Sequence, residues 1–375
     1  MTKFDFRKMQ EATRLTRAGR LNDALAILQS ATTSAATATP STPIIIDGEI
    51  VSHREVPVRL SAVTPHFFQA FDAARLPATR RQPVHITDIA PEEGRYISSL
   101  FSNGDGSRSY KLYIPSSRDA GPKPLIVMLH GCTQSADDFA AGTRMNFVAE
   151  AHGCFVAYPE QPPAANAAKC WNWFKPADQE RDRGEPSLIA GITRQIVEAH
   201  DIDETRIYVA GLSAGGATAA IMGEVYADLY AAVGVHSGLA CGSAHDVTSA
   251  FAAMRGGGNV KNSRVLRGAK PTIAFHGDCD TTVHPSNGEK VISRVAAGQK
   301  FETQTVRHNS PTGHSFSQTI HRDAAGLGVF ELWELHGAGH CWSGGSPAGS
   351  FTSKDGPNAS MEMLRFFLQH RLPPS

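Results

Sequence analysis

Short apolar runs that alternate with helix-compatible stretches constrain the fold of this 375-residue chain more than any other feature. The runs are "PLIVMLHG", "CFVAYPE", "RIYVAGLS", "AAVGVHSG", "TIAFHGD" and "VFELWELHG", most of them entering a turn that carries glycine or histidine. Helical spacing is found between and after them, over 137–150, 187–200, 214–226, 285–296 and 358–370. Strands that are apolar at successive positions are buried on both faces. Alternation with helices therefore predicts a mostly parallel sheet covered on both sides. Ahead of it, "RYISSLF" and "SYKLYIP" alternate around "SNGDGSR" and predict an antiparallel hairpin.

This alternating pattern runs over 93–372. Upstream, Phe4, Met9, Ala12 and Leu15, then Leu21, Ala24, Leu25 and Leu28, recur at three- and four-residue spacing. They predict an N-terminal helical arm over 1–30, suited to docking or self-association. The stretch 31–43, "ATTSAATATPSTP", is small and polar and reads as a linker. Residues 44–92 carry no strong period.

Lys and Arg together number 36, as do Asp and Glu, so the formal net charge is zero and nothing favours nucleic acid or an anionic membrane. No apolar stretch approaches the roughly 18 residues of a membrane-spanning helix. The charged N-terminus lacks the apolar core of a secretory signal, which predicts a cytoplasmic chain. The six cysteines form no CxxC pair. Disulfides are permitted, but buried free thiols are favoured at this chain length.

Candidate chemistry begins at "AGLSAGG". Gly211-Leu212-Ser213-Ala214-Gly215 fits G-x-S-x-G, with an apolar run before it and a small-residue helix after it. That context predicts a nucleophile elbow, although a serine capping a glycine turn would look similar. With the leading hairpin, it predicts an α/β-hydrolase fold. In that fold an acid and then a histidine follow the serine. "HGDCDTTV" offers Asp278 and Asp280. Its spacing favours Asp280 as the acid and leaves Asp278 to close its own turn. "LHGAGHCW" offers His336 and His340, and the glycine-flanked His340 is the expected base. Gly337 and Gly339 argue against a helical His-x-x-x-His metal pair. "HGCTQ" after the first parallel run suits an oxyanion loop, with donors from the N–H groups of Cys132 and Ala214. Trp171, Asn172 and Trp173 could wall an acyl site, together with Trp342, or form a local plug.

Taken in order, "HGCTQ", "CWNWF", "GLSAGG", "HGDCDTTV" and "GAGHCW" resemble the poly(3-hydroxybutyrate) depolymerase family of esterases, over about residues 95 to 370. The resemblance implies a serine hydrolase of carboxylic esters with Ser213, Asp280 and His340 as its triad, needing neither cofactor nor metal. It implies poly- or oligo(3-hydroxyalkanoate) esters first, and feruloyl or acetylxylan-type esters as the alternative. A non-catalytic binding protein on the same fold is the remote one. Many members are extracellular, which is the alternative to the cytoplasmic expectation.

Overall fold

The computed structural model describes residues 85–117, 121–257, 269–309 and 315–373. The expected helical arm, the linker and most of the 44–92 region lie outside the described residues.

The leading hairpin is β1 (Arg95–Asn103) and β2 (Gly106–Ile114), paired antiparallel from Arg95↔Ile114 to Asn103↔Gly106. The apolar runs become β3 (Lys123–Leu129), β4 (Phe155–Pro159), β5 (Ile202–Leu212), β6 (Ala232–His236) and β7 (Thr272–Gly277). After β8 (Glu302–Asn309) and β9 (Ser315–Arg322) comes β10 (Gly328–Leu335). These ten strands form one sheet in the order β1-β2-β4-β3-β5-β6-β7-β10-β9-β8. Neighbours from β4 through β10 are parallel, and the strands outside them are antiparallel.

Period-two alternation explains why the central runs are apolar throughout. Leu125, Val127 and Leu129 enter one core, while Ile126 and Met128 enter the other. The first core is closed by α4 (Gly184–Ala199), α5 (Ala214–Val225) and α7 (Ser286–Ala296). The second is closed by α1 (Ile86–Ile89), α2 (Ala136–Thr143), α3 (Met145–Glu150) and α8 (Ala359–Phe367). Each fully buried Leu, Ile or Val side chain stabilises this arrangement by roughly 1.5–3 kcal/mol.

Three features depart from the sequence reading. The expected helix over 137–150 is broken at Arg144, whose φ of 53° is left-handed and whose N–H closes on Ala140 O. Helix α6 (Val247–Met254), started by an Asp246/Ser249 capping box, has only a short apolar face. The hairpin β8–β9 is a half-solvated edge with threonines, histidines and arginines, so it lacks the apolar signature of the core strands.

At the margin of the first core, the Phe101 ring of β1 lies against α4 where Gly191 leaves room. A Cβ at Gly191 would overlap that ring. Gly191→Ala is expected to lower stability by roughly 1–3 kcal/mol in urea unfolding. The loss should shrink in a Phe101→Ala background, and an equal loss in both backgrounds would mean that the two sites are not coupled.

Candidate active site

Every site loop leaves the carboxyl end of a parallel strand. At the end of β5 the chain turns into α5 through Ser213, whose φ of 57° and ψ of −118° are strained for a residue with a side chain. The turn is tight because strand and helix approach closely. A Cβ on Gly215 would overlap Leu129 O, and one on Gly211 would overlap the Gly215 carbonyl. Glycine at both positions is what lets α5 start there. The Ser213 hydroxyl therefore stands at a helix N-terminus, where developing negative charge is favoured.

Beyond β7, Asp280 Oδ1 accepts the N–H groups of Thr282 and Val283, each at 2.8 Å. Its Oδ2 accepts His340 Nδ1–H at 2.7 Å, and His276 Nε2 lies 3.5 Å from the same oxygen. Burial works against the charge of Asp280, but the His276 ring beside it and the hydrogen bonds from His340 and the Val283 N–H hold its carboxyl well below the usual carboxylate range. The loop after β10 that carries His340 lies directly on the acid loop, where Cys279 N–H donates to Ala338 O at 3.0 Å. Asp280 and His340 thus meet. Among the described residues Ser213 Oγ makes no side-chain hydrogen bond, so the structure brings Asp280 and His340 together but gives no bond between His340 and Ser213.

Asp278 does not close its own turn, as the sequence suggested. It reaches across to His336 Nδ1 at 3.1 Å and to Gly337 N–H at 2.7 Å, and the local turn belongs to Asp280. His336 Nε2 lies 2.8 Å from Ser317 Oγ.

After β3, the loop carrying Cys132 is braced from the segment between β4 and α4. Cys132 and Cys170 form a disulfide, which corrects the expectation of free thiols at these two positions. Cys154, Cys241, Cys279 and Cys341 are free. Thr133 N–H donates to Ala168 O at 2.7 Å, and Gln161 N–H donates to His130 Nε2 at 3.0 Å. Trp171 is fully buried and donates Nε1–H to His130 O at 3.1 Å. Trp342 is fully buried too, with Nε1–H on Ser360 Oγ at 3.1 Å. Neither indole has surface to offer a ligand, so the expected acyl-wall role is dropped for both. Asn172 gives its N–H and side-chain amide to Glu185, at 2.7 and 2.6 Å, and is a brace in this structure. Trp173 is nearly buried, edge-on to Phe174. The N–H groups of Cys132 and Ala214 enter no loop hydrogen bond among the described residues.

Sequence reasoning missed Glu185, the buried hub that also accepts from Gln161, and the histidines at 276 and 236. The two histidines had a signal, since both stand at the carboxyl ends of apolar runs. Glu185 had none, because its partners are brought together only by the fold. The arrangement presents a serine at a helix start, an acid–histidine pair and two uncommitted N–H groups at one sheet edge. Such a set can perform acyl transfer.

A family model described as Esterase PHB depolymerase matches residues 108–315. The chain is 31% identical over 253 residues to poly(3-hydroxyalkanoate) depolymerase C of Paucimonas lemoignei, covering 64% of this chain and 60% of that protein's length. It is 30% identical over 200 residues to feruloyl esterase B of Thermothelomyces thermophilus, covering 49% of this chain and 67% of that one. The solved acetyl xylan esterase from Aspergillus awamori shares the fold, with a TM-score of 0.55 at 21% identity over 65% of this chain and 94% of that one.

Burial pushes His130 down to about 4 and His236 down to about 3. An unfolded histidine takes its proton near pH ~6.5. Between that pH and about 4, the unfolded chain binds protons that the native chain does not, so stability falls on acidification. Each ring contributes a loss of about 1.4 kcal/mol per pH unit. Below about pH 4, Asp280 adds to the loss, because its native carboxyl stays ionised where the unfolded one is protonated. Calorimetry should give a Tm that declines steadily from about pH 6.5 to about 4. A flat Tm over that window would falsify the burial of both rings in neutral form.

Proposed function

Because this chain belongs to the PHB depolymerase family of esterases, we propose that it hydrolyses 3-hydroxyalkanoate esters, polymeric or oligomeric, through Ser213, His340 and Asp280. The observation that carries this reading is the 2.7 Å bond from His340 Nδ1–H to Asp280, on loops beside a serine held at a φ of 57°. Asp280, kept ionised, fixes His340 with its proton on Nδ1 and its Nε2 free to act as base. His340 takes the hydroxyl proton as Ser213 Oγ attacks the ester carbonyl. The N–H groups of Cys132 and Ala214 receive the oxyanion. Collapse expels the alcohol, which leaves with the proton from His340. Water, deprotonated by His340, then attacks the acyl-enzyme, and the acid departs as Ser213 recovers its proton.

Ser213→Ala should lower kcat for p-nitrophenyl butyrate on the order of 10⁴-fold or more, without loss of fold. Retention of most activity would overturn the triad. Labelling of Ser213 by a fluorophosphonate separates this reading from a non-catalytic binding protein.

Likeness to feruloyl esterase B keeps one second reading, an esterase of feruloyl or acetylxylan type. Hydroxybutyrate oligomers assayed beside methyl ferulate and acetylated xylan decide between the two. Turnover confined to the ferulate or the xylan selects the second reading.

The Cys132–Cys170 cross-link supports an oxidising compartment over the cytoplasm. Among the described residues no helix is long and apolar enough to cross a membrane. Protein taken from its native compartment, denatured without reductant, should titrate four thiols, rising to six on reduction. Six thiols before reduction would sink the compartment argument.

A further inference from the structure

We infer that His236 sets the spacing between nucleophile and base, acting as a positioning residue with its backbone on one and its side chain on the other. The inference rests on the triad reading above.

Strand order is the first ground. β6 lies between β5, which leads to Ser213, and β7, which leads to Asp280. His236 is the last residue of β6, paired with Leu212 on one side and Phe275 on the other. Its carbonyl accepts the Ser213 N–H at 2.9 Å, which fixes the strained residue of the elbow. Its ring Nε2 accepts the N–H of Ser343 at 3.1 Å, three residues beyond His340. One residue therefore grips the chain at the nucleophile and again just after the base.

The ring is immobilised for this task. It is fully buried and stacked between Phe275, with centroids 5.6 Å apart and planes 10° apart, and Trp342, at 5.1 Å and 26°. Nδ1 lies 3.2 Å from Ser237 Oγ. Because Nε2 accepts a backbone N–H, the proton resides on Nδ1, which donates to that hydroxyl. Ser343 is itself buried, so without Nε2 its N–H would have no acceptor and the loop would shift to find one. Misplacement by about 1 Å in such a site can cost on the order of 10²-fold in rate. No atom of His236 is assigned to the substrate, so the effect belongs to kcat.

Two polar replacements separate reach from packing. Gln places an acceptor near the position of Nε2, whereas Asn ends near Nδ1 and falls short of Ser343. His236→Gln should keep kcat for p-nitrophenyl butyrate within about threefold of wild type. His236→Asn should lose about 10- to 100-fold in kcat, with KM within about threefold and a matching slowdown in fluorophosphonate labelling. Equal kcat in the two variants, or a loss carried by KM alone, overturns the inference. A measurement on unaltered protein stands beside these. In ¹⁵N-histidine spectra the His236 ring should be the Nδ1–H tautomer, and an Nε2–H tautomer sinks the proposal. Ser213→Ala assayed in parallel distinguishes the two levels. Activity there overturns the triad itself, whereas an inactive Ser213→Ala beside a fully active His236→Asn overturns only the role of His236.

Discussion

The close approach of α5 to β3 and β5 is the constraint from which the site follows. Gly211 and Gly215 bring the helix start within contact of the Leu129 carbonyl, a distance that no side chain would permit. That approach forces Ser213 into its left-handed conformation and lifts its hydroxyl from the sheet. It also brings the start of α5 against the chain leaving β3, the segment that supplies Cys132. Strain at one residue is sustained because two buried cores, one on each face of the sheet, over-determine the strands that hold it.

The loops around Ser213 form a closed circuit of hydrogen bonds. Gln134 accepts the Gly131 N–H at 2.9 Å and donates to Ser350 O at 2.9 Å, which joins the loop after β3 to the one bearing His340. Ser346 N–H donates to Gly142 O at 2.8 Å, pinning that second loop again, to the end of α2. The His340 loop rests on the acid loop through Ala338 and on β6 through Ser343. β6 in turn holds the elbow through the His236 carbonyl. On the outer side, Glu185 ties Asn172 and Gln161 together behind the disulfide. Each loop is fixed by its neighbours as well as by its own turns, so a backbone without regular structure is held in place.

What was legible in the sequence follows from which signals are local. The central strands and α5 announce themselves because burial on both faces demands unbroken apolar runs and because the elbow demands two glycines. That Asp280 and His340 meet was legible in part, because each was expected on a loop after its own strand, Asp280 from the H-G-x-x-D-x-x-V spacing and His340 from its flanking glycine. The disulfide, the burial of Trp171 and Trp342 and the reach of Asp278 to His336 were not legible. Each is a contact between segments far apart in sequence, set by strand order. β8 escaped notice for another reason. An edge strand solvated on both faces has no apolar period to reveal it.

The sheet ends in antiparallel strands at both margins, with β1 at one and β8 at the other. None of the site residues discussed above lies on either. The outer strands can therefore be lengthened or recharged without touching a hydrogen bond of the elbow, the acid loop or the His340 loop.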